Sequence, residues 1–231
     1  MNPTHPQPLP TKPLRLIIFA FLLAVSSTLF AADGSGTLKI VCVGDSITNG
    51  DKIERGKENY PKALERLLAG KATVLNAGQN GAGVIKADDV SYWTTKGFTA
   101  AMNAAPQVVV IMLGSNDSRV VNWSAHKADY SRDLGELVTT FAKLPSKPAV
   151  WLCLPPPMYS KRYNVQPQVL EKEIIPQIRQ VAKANNCGVI DVFTALSNHP
   201  ELFADGVHPN TNGAALIART VSDAIATRKD N

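Results

Sequence analysis

The 231-residue chain holds only three cysteines, and their spacing supports no disulfide framework. Cys42 and Cys153 fall inside apolar, strand-like runs and Cys187 directly precedes another, so all three read as small buried hydrophobes. There is no C-x-x-C and no paired His–Cys spacing, which removes the usual zinc sites. No metal and no organic cofactor is expected. Blocks of like charge are also missing. Lys and Arg number 24 against 19 Asp and Glu, a formal net charge of +5, and two of the positive charges are Lys12 and Arg15 near the N-terminus. A surface of that kind calls for neither nucleic acid nor an anionic membrane. No repeat, no low-complexity segment and no second domain stands out.

What is present begins with a leader. Lys12 and Arg15 precede the apolar stretch Leu16 to Val25, and Ser26-Ser27-Thr28-Leu29-Phe30-Ala31-Ala32 follows, ending on small residues. This pattern describes a secretory signal peptide over residues 1–32, cut near Ala31 or Ala32. A retained signal anchor is the alternative, since the stretch approaches the roughly 17 residues that just span a bilayer. The first reading implies a secreted or periplasmic protein with no stable membrane association after cleavage. Residues 33–231 then suit one domain with a full-sized core.

Five runs read as strands: Leu38–Val43, Thr73–Asn76, Val108–Leu113, Ala149–Leu154 and Gly188–Val192. They are continuously apolar rather than alternating, which predicts a parallel sheet buried on both faces. Helical spacing fills the intervals at Tyr60 to Leu68, Tyr130 to Leu144, Val169 to Ala184 and Ala214 to Ala226. Strand–helix alternation predicts a doubly wound α/β sheet, which binds ligands at the carboxyl ends of its strands.

Polar or glycine clusters follow those strand ends. Gly44-Asp45-Ser46-Ile47-Thr48 follows the first run, Gly78-Gln79-Asn80-Gly81 the second and Gly114-Ser115-Asn116-Asp117 the third. Asp205-Gly206-Val207-His208-Pro209 comes after the fifth. Each has a plain reading by itself, as a helix cap, a tight turn or an exposed loop. Jointly they supply a hydroxyl, an imidazole and a carboxylate, the groups that make a serine nucleophilic at neutral pH. The short Gly44-Asp45-Ser46 turn lacks the glycine density and the lysine of a P-loop, which argues against nucleotide binding.

These four blocks, in this order and over nearly all of residues 33–231, resemble those of the SGNH (GDSL) hydrolases. The resemblance implies a three-layer α/β/α, flavodoxin-like fold with a five-stranded parallel sheet. It also implies Ser46 as nucleophile, His208 as general base and Asp205 as its orienting carboxylate. The oxyanion hole would comprise the backbone N–H groups of Ser46 and Gly81 with the side-chain amide of Asn116. Gly78 and Gly83 lie near enough to take the place of Gly81 if the loop registers differently. The G-x-S-x-G elbow of the α/β-hydrolases is missing. The N-x-[ST] triplets at Asn116 and Asn122 read as incidental.

Ile111-Met112-Leu113-Gly114-Ser115-Asn116-Asp117-Ser118, Leu144-Pro145-Ser146-Lys147-Pro148 and Cys153-Leu154-Pro155-Pro156-Pro157 look like the sialate O-acetylesterase-like and carbohydrate acetylesterase branch. That implies hydrolysis of short-chain acetyl esters on a small-molecule or polysaccharide substrate. Tyr92, Trp93 and Trp123 could stack on sugar rings or serve as core and rim packing. No amphipathic segment reads as a lid for a long acyl chain. A lysophospholipase or thioesterase on the same machinery is the alternative, and a non-catalytic carbohydrate-binding protein a more distant one. Nothing in the sequence fixes the oligomeric state.

Overall fold

The structure, a computed structural model, describes Met1, residues 36–53 and residues 58–227. The leader assigned to residues 1–32 therefore lies outside the described residues, Met1 apart. Five strands form one sheet: β1 (Leu38–Gly44), β2 (Ala72–Gly78), β3 (Val108–Met112), β4 (Ala149–Leu154) and β5 (Gly188–Asp191). Their spatial order is β2-β1-β3-β4-β5 and every neighbouring pair is parallel. Successive residues point to opposite faces of a strand, and the core divides accordingly. Ile40, Cys42, Val110, Met112, Cys153 and Ile190 pack in one layer, against α2 (Tyr60–Leu67), α8 (Val192–Leu196) and α9 (Thr211–Thr227). Val41, Val43, Val109, Ile111, Leu152 and Leu154 pack in the other, against α3 (Lys96–Asn103), α5 (Tyr130–Ala142) and α7 (Ile175–Ala184). Burying each such side chain contributes roughly 1.5–3 kcal/mol.

The central strands β1, β3 and β4 are buried on both faces, as their apolar runs predict. The edge strand β2 departs from that expectation. Only its Ala72 and Ala77 are buried and Leu75 is 38% exposed, as suits a strand flanked by β1 alone; the other edge strand, β5, is likewise mostly half-buried, with Ile190 its one buried residue. Cys42 and Cys153 are buried free thiols, and burial pushes the Cys42 thiol up to about 12, as befits an inert core residue.

Local signals set the helix starts. Asn59 accepts from Lys62 N at 3.1 Å, Thr95 from Phe98 N at 3.0 Å and Asp191 from Thr194 N at 2.9 Å. The last helix begins three residues before the expected Ala214. Asn210 Oδ1 takes the N–H groups of Asn212 and Gly213, and Gly213 is a close-packing residue, not a turn. A Cβ there would lie 2.6 Å from Leu202 O. Between α6 (Pro167–Val169) and α7 the chain makes a π-helical turn, Leu170–Ile174. Pro176 follows, with no N–H to give and a ring that crowds the carbonyl four residues back, so the wider turn relieves the conflict.

Candidate active site

Strand order reverses between β1 and β3, and the loops leaving their ends define the cleft. β1 stops at Gly44 and turns at once into the short helix α1 (Ser46–Asn49). Asp45 caps it, Oδ1 accepting from Ile47 N at 2.9 Å, so Ser46 occupies the first helical position. This close fit requires glycine on both adjoining strands. A Cβ at residue 44 would stand 1.9 Å from Thr48 Oγ1, and one at residue 78 would stand 2.4 Å from Asn49 N.

Ser46 Oγ lies 3.0 Å from His208 Nε2, although the two residues are 162 positions apart. His208 Nδ1 lies 2.9 Å from Asp205 Oδ2. A carboxylate only accepts, so Nδ1 carries the proton and Nε2 is left to accept from the serine hydroxyl. Asp205 Oδ1 also accepts from His208 N at 2.8 Å and Val207 N at 3.0 Å. Burial alone would raise the Asp205 carboxyl. Its bonds from His208 N, the His208 ring, Val207 N and the Tyr163 hydroxyl outweigh that and hold it well below the ordinary carboxylate range.

Gly81 and Asn116 line the same cleft, a cavity of about 100 Å³ that is partly open to solvent. Gly81 adopts φ +80°, a left-handed conformation that favours glycine. A Cβ there would meet its nearest neighbour at 3.9 Å, so backbone conformation rather than close approach accounts for the residue. Gly78 supports α1 as described, and Gly83 lies against the Asp117 carboxylate, a Cβ there falling 2.9 Å from Oδ1. Of the three glycines, Gly81 is the one that borders the cleft. Asn116 Nδ2 donates to Ala82 O at 3.0 Å and stands 3.3 Å from Asp45 Oδ2. Its Oδ1 accepts from Arg119 Nη2 at 2.6 Å, which fixes the orientation of the amide.

Behind these groups, Asp117 Oδ1 accepts from Val84 N at 2.8 Å and Ile85 N at 3.0 Å and so fastens the β2 loop. Burial pushes both Asp45 and Asp117 up to about 7, against the N–H bonds each accepts. In the interval between the ordinary value of 3.8 and about 7, the folded state holds protons that the unfolded chain has released. The stability these two groups contribute is thus complete below about pH 4 and is lost as pH rises through about 7. The melting temperature should fall across that interval. Asp117→Asn, which keeps the accepting oxygen but cannot ionise, should flatten the decline, and a melting profile with the wild-type slope would contradict this assignment. Asp205 acts in the opposite sense, because its depressed value is a stabilisation that disappears only in acid below about pH 4.

Sequence reasoning missed several residues of the cleft. Asp51, Arg119, Tyr163 and Val165 border it from outside the four blocks, beside Asn80 and Ser115 from within them. Asp51 Oδ2 comes within 3.9 Å of His208 Nε2. Arg119 sits three residues after Asn116, its N–H closing a turn on Asn116 O at 3.1 Å, and that spacing was the available signal. Tyr163 and Val165 come from the loop after β4, where proline and an irregular polar stretch leave no period to read.

The three aromatics considered for sugar stacking do not border the cleft. Tyr92 is fully buried, its hydroxyl on Ala77 O at 2.8 Å. Trp93 packs on the core with Nε1 on Val84 O, and Lys86 covers its ring. Trp123 stacks edge-on against Tyr130 and donates to Glu173. All three serve as packing. Among the described residues, no group of three His, Cys, Asp or Glu side chains is arranged to hold a metal ion.

The fold is an all-parallel α/β/α sandwich with a cleft at its switch point, a framework that hosts many chemistries. Residues 42–216 match the GDSL-like lipase/acylhydrolase family, and the chain belongs to it. An acetylxylan esterase from Xylanibacter ruminicola is 30% identical over 207 residues, which are 81% of this chain and 43% of that protein. The chain thus spans less than half the length of that relative. Two solved structures share the fold. A carbohydrate acetylesterase family member from Sinorhizobium meliloti aligns with a TM-score of 0.67 at 19% identity, covering 83% of this chain and 98% of that one. The native aryl esterase of M. smegmatis aligns with a TM-score of 0.65 at 16% identity, covering 83% and 99%.

Proposed function

We propose that this protein is a secreted or periplasmic acetylesterase that removes acetyl groups from a carbohydrate by way of an acyl-enzyme. The observation that carries the proposal is the hydrogen-bonded chain Ser46–His208–Asp205 opening on a modest cleft. Ser46 Oγ attacks the ester carbonyl while His208 Nε2 takes its proton. The C–O bond to the sugar then breaks, and the same proton passes to the departing alkoxide. Water next attacks the acetyl-serine, His208 again accepting a proton, and acetate leaves as Ser46 regains its hydrogen. Asp205 keeps the imidazole in the tautomer that both halves need and stabilises it when charged.

The carbonyl oxygen becomes an oxyanion in each half. Ser46 N and Gly81 N would donate to it, with Asn116 Nδ2 as third donor. The 3.3 Å contact of Asn116 with Asp45 lies beyond the usual hydrogen-bond range, so it is the one a substrate oxygen can replace. Similarity to an acetylxylan esterase over most of this chain supports a sugar-borne acetyl group. The small cavity and the lack of a lid among the described segments favour a short acyl chain.

A series of p-nitrophenyl esters tests the acyl preference, and a panel of acetylated glycans assayed for released acetate tests the alcohol side. kcat/KM is expected to peak at acetate and to fall with chain length. A rise toward octanoate would replace this reading with a lysophospholipase or thioesterase activity.

A further inference from the structure

The loop after β4 is tied to the Asp205–His208 loop more closely than a mere connection requires. Tyr159 N and Ser160 N donate to Gly206 O at 2.7 and 3.2 Å, and Ser160 Oγ donates to Asp205 O at 3.1 Å. At the far end, Gln166 N donates to Ser118 Oγ, beside the Asn116 block. Between these anchors, Tyr163 and Asn164 both take left-handed backbone, φ +60° and +62°. For a tyrosine that conformation is unfavourable and persists only where its surroundings enforce it. The strain places the Tyr163 hydroxyl 2.9 Å from Asp205 Oδ2, the oxygen that also receives His208 Nδ1–H. It also sets the ring edge-on to the His208 imidazole, centroids 5.2 Å apart and planes at 74°.

We propose that Tyr163 is a positioning residue for the reaction, its hydroxyl sharing the Asp205 carboxylate with His208 and its ring confining the imidazole so that Nε2 stays on Ser46. The role rests on the triad reading given above. Half of the Asp205 Oδ2 capacity is taken by a neutral donor, which tempers the pull of the carboxylate on a protonated His208. Other charges facing these rings are Asp51, near Nε2, and Lys52 and Arg162, near Tyr163. None of them donates to Asp205 Oδ2 among the described contacts.

Ser46→Ala, Tyr163→Phe and Tyr163→Ala separate the ideas, with p-nitrophenyl acetate as substrate and melting temperature as the control for folding. Phe keeps the ring and deletes the hydroxyl. The freed carboxylate then favours the imidazolium, and the acid limb of the kcat/KM–pH profile should move up by roughly 0.5–1 pH unit, about one hydrogen bond's worth. Ala deletes the ring as well and should lower kcat roughly 10- to 100-fold with a smaller change in KM, as expected for a displaced base. If Ser46→Ala is inactive while both Tyr163 variants keep the wild-type limb and kcat, the Tyr163 role is wrong and the triad stands. Loss of activity in Tyr163→Ala that merely tracks loss of folded protein, with an unmoved limb in Tyr163→Phe, overturns it equally. Wild-type turnover in Ser46→Ala removes the triad and this inference together.

Discussion

Ser46→Ala should abolish nearly all turnover, lowering kcat by about 10⁴- to 10⁶-fold, while leaving the fold and its melting temperature close to wild type. The magnitude follows from what one oxygen does. Without it there is no acyl-enzyme, and His208 has no hydroxyl to deprotonate across the 3.0 Å contact. The fold should be indifferent, because Ser46 accepts no capping role. Asp45 caps α1, the Ser46 hydroxyl bonds only to that ring nitrogen among the described contacts, and the main-chain bonds that Gly50 N and Asp51 N make to Ser46 O survive the substitution. Steady-state hydrolysis of p-nitrophenyl acetate, alongside thermal unfolding, decides the matter. A variant with wild-type kcat would eliminate Ser46 as nucleophile, and with it the reading of His208 and Asp205 as its partners.

Asn116→Ala should reduce kcat by about 10²- to 10³-fold with little effect on KM. The donor matters most when charge has built up on the substrate oxygen, so its loss weakens the transition state rather than the encounter complex. Here the amide is held by Ala82 O on Nδ2 and by the Arg119 guanidinium on Oδ1, which limits the reorganisation needed when the oxyanion forms. The guanidinium on Oδ1 polarises the amide as well, strengthening Nδ2 as a donor. An increase in KM at unchanged kcat would instead make Asn116 a ground-state binding group. Some loss of stability should accompany the change, since truncation leaves the buried Ala82 carbonyl short of a donor.

The central sheet was legible because burial on both faces leaves its mark as unbroken apolar runs. The Ala149–Leu154 strand matches its expected bounds, and the others shift by one or two residues at their ends. Less visible were the short helices α3, α4 (Val120–His126) and α8. In α3, Gly97 reads as a helix breaker, yet a Cβ there would lie 2.5 Å from Ala77 O. The helix tolerates the glycine because it lies flat on the end of β2. The α8 segment is five residues long, too brief for a period to emerge.

The polar blocks after the strands pointed to one rim, and Ser46, Gly81, Asn116 and His208 do border one cleft, with Asp205 behind the imidazole. That convergence was readable because parallel strands deliver their trailing loops to the same side. Tyr163 was not readable. Its significance depends on a left-handed backbone that a tyrosine in a sequence never advertises, and on a loop held in part by hydrogen bonds to the main-chain oxygens of residues 205 and 206, which any residue could supply.

The pairing of a side chain near the start of the sheet with one 162 positions later also makes hydrolysis a gauge of completed folding. A nascent or truncated chain that ends before residue 208 carries the hydroxyl but has no imidazole to meet it. Recovery of turnover during refolding from denaturant should therefore lag behind recovery of helical signal, and heat inactivation should coincide with release of the C-terminal segment.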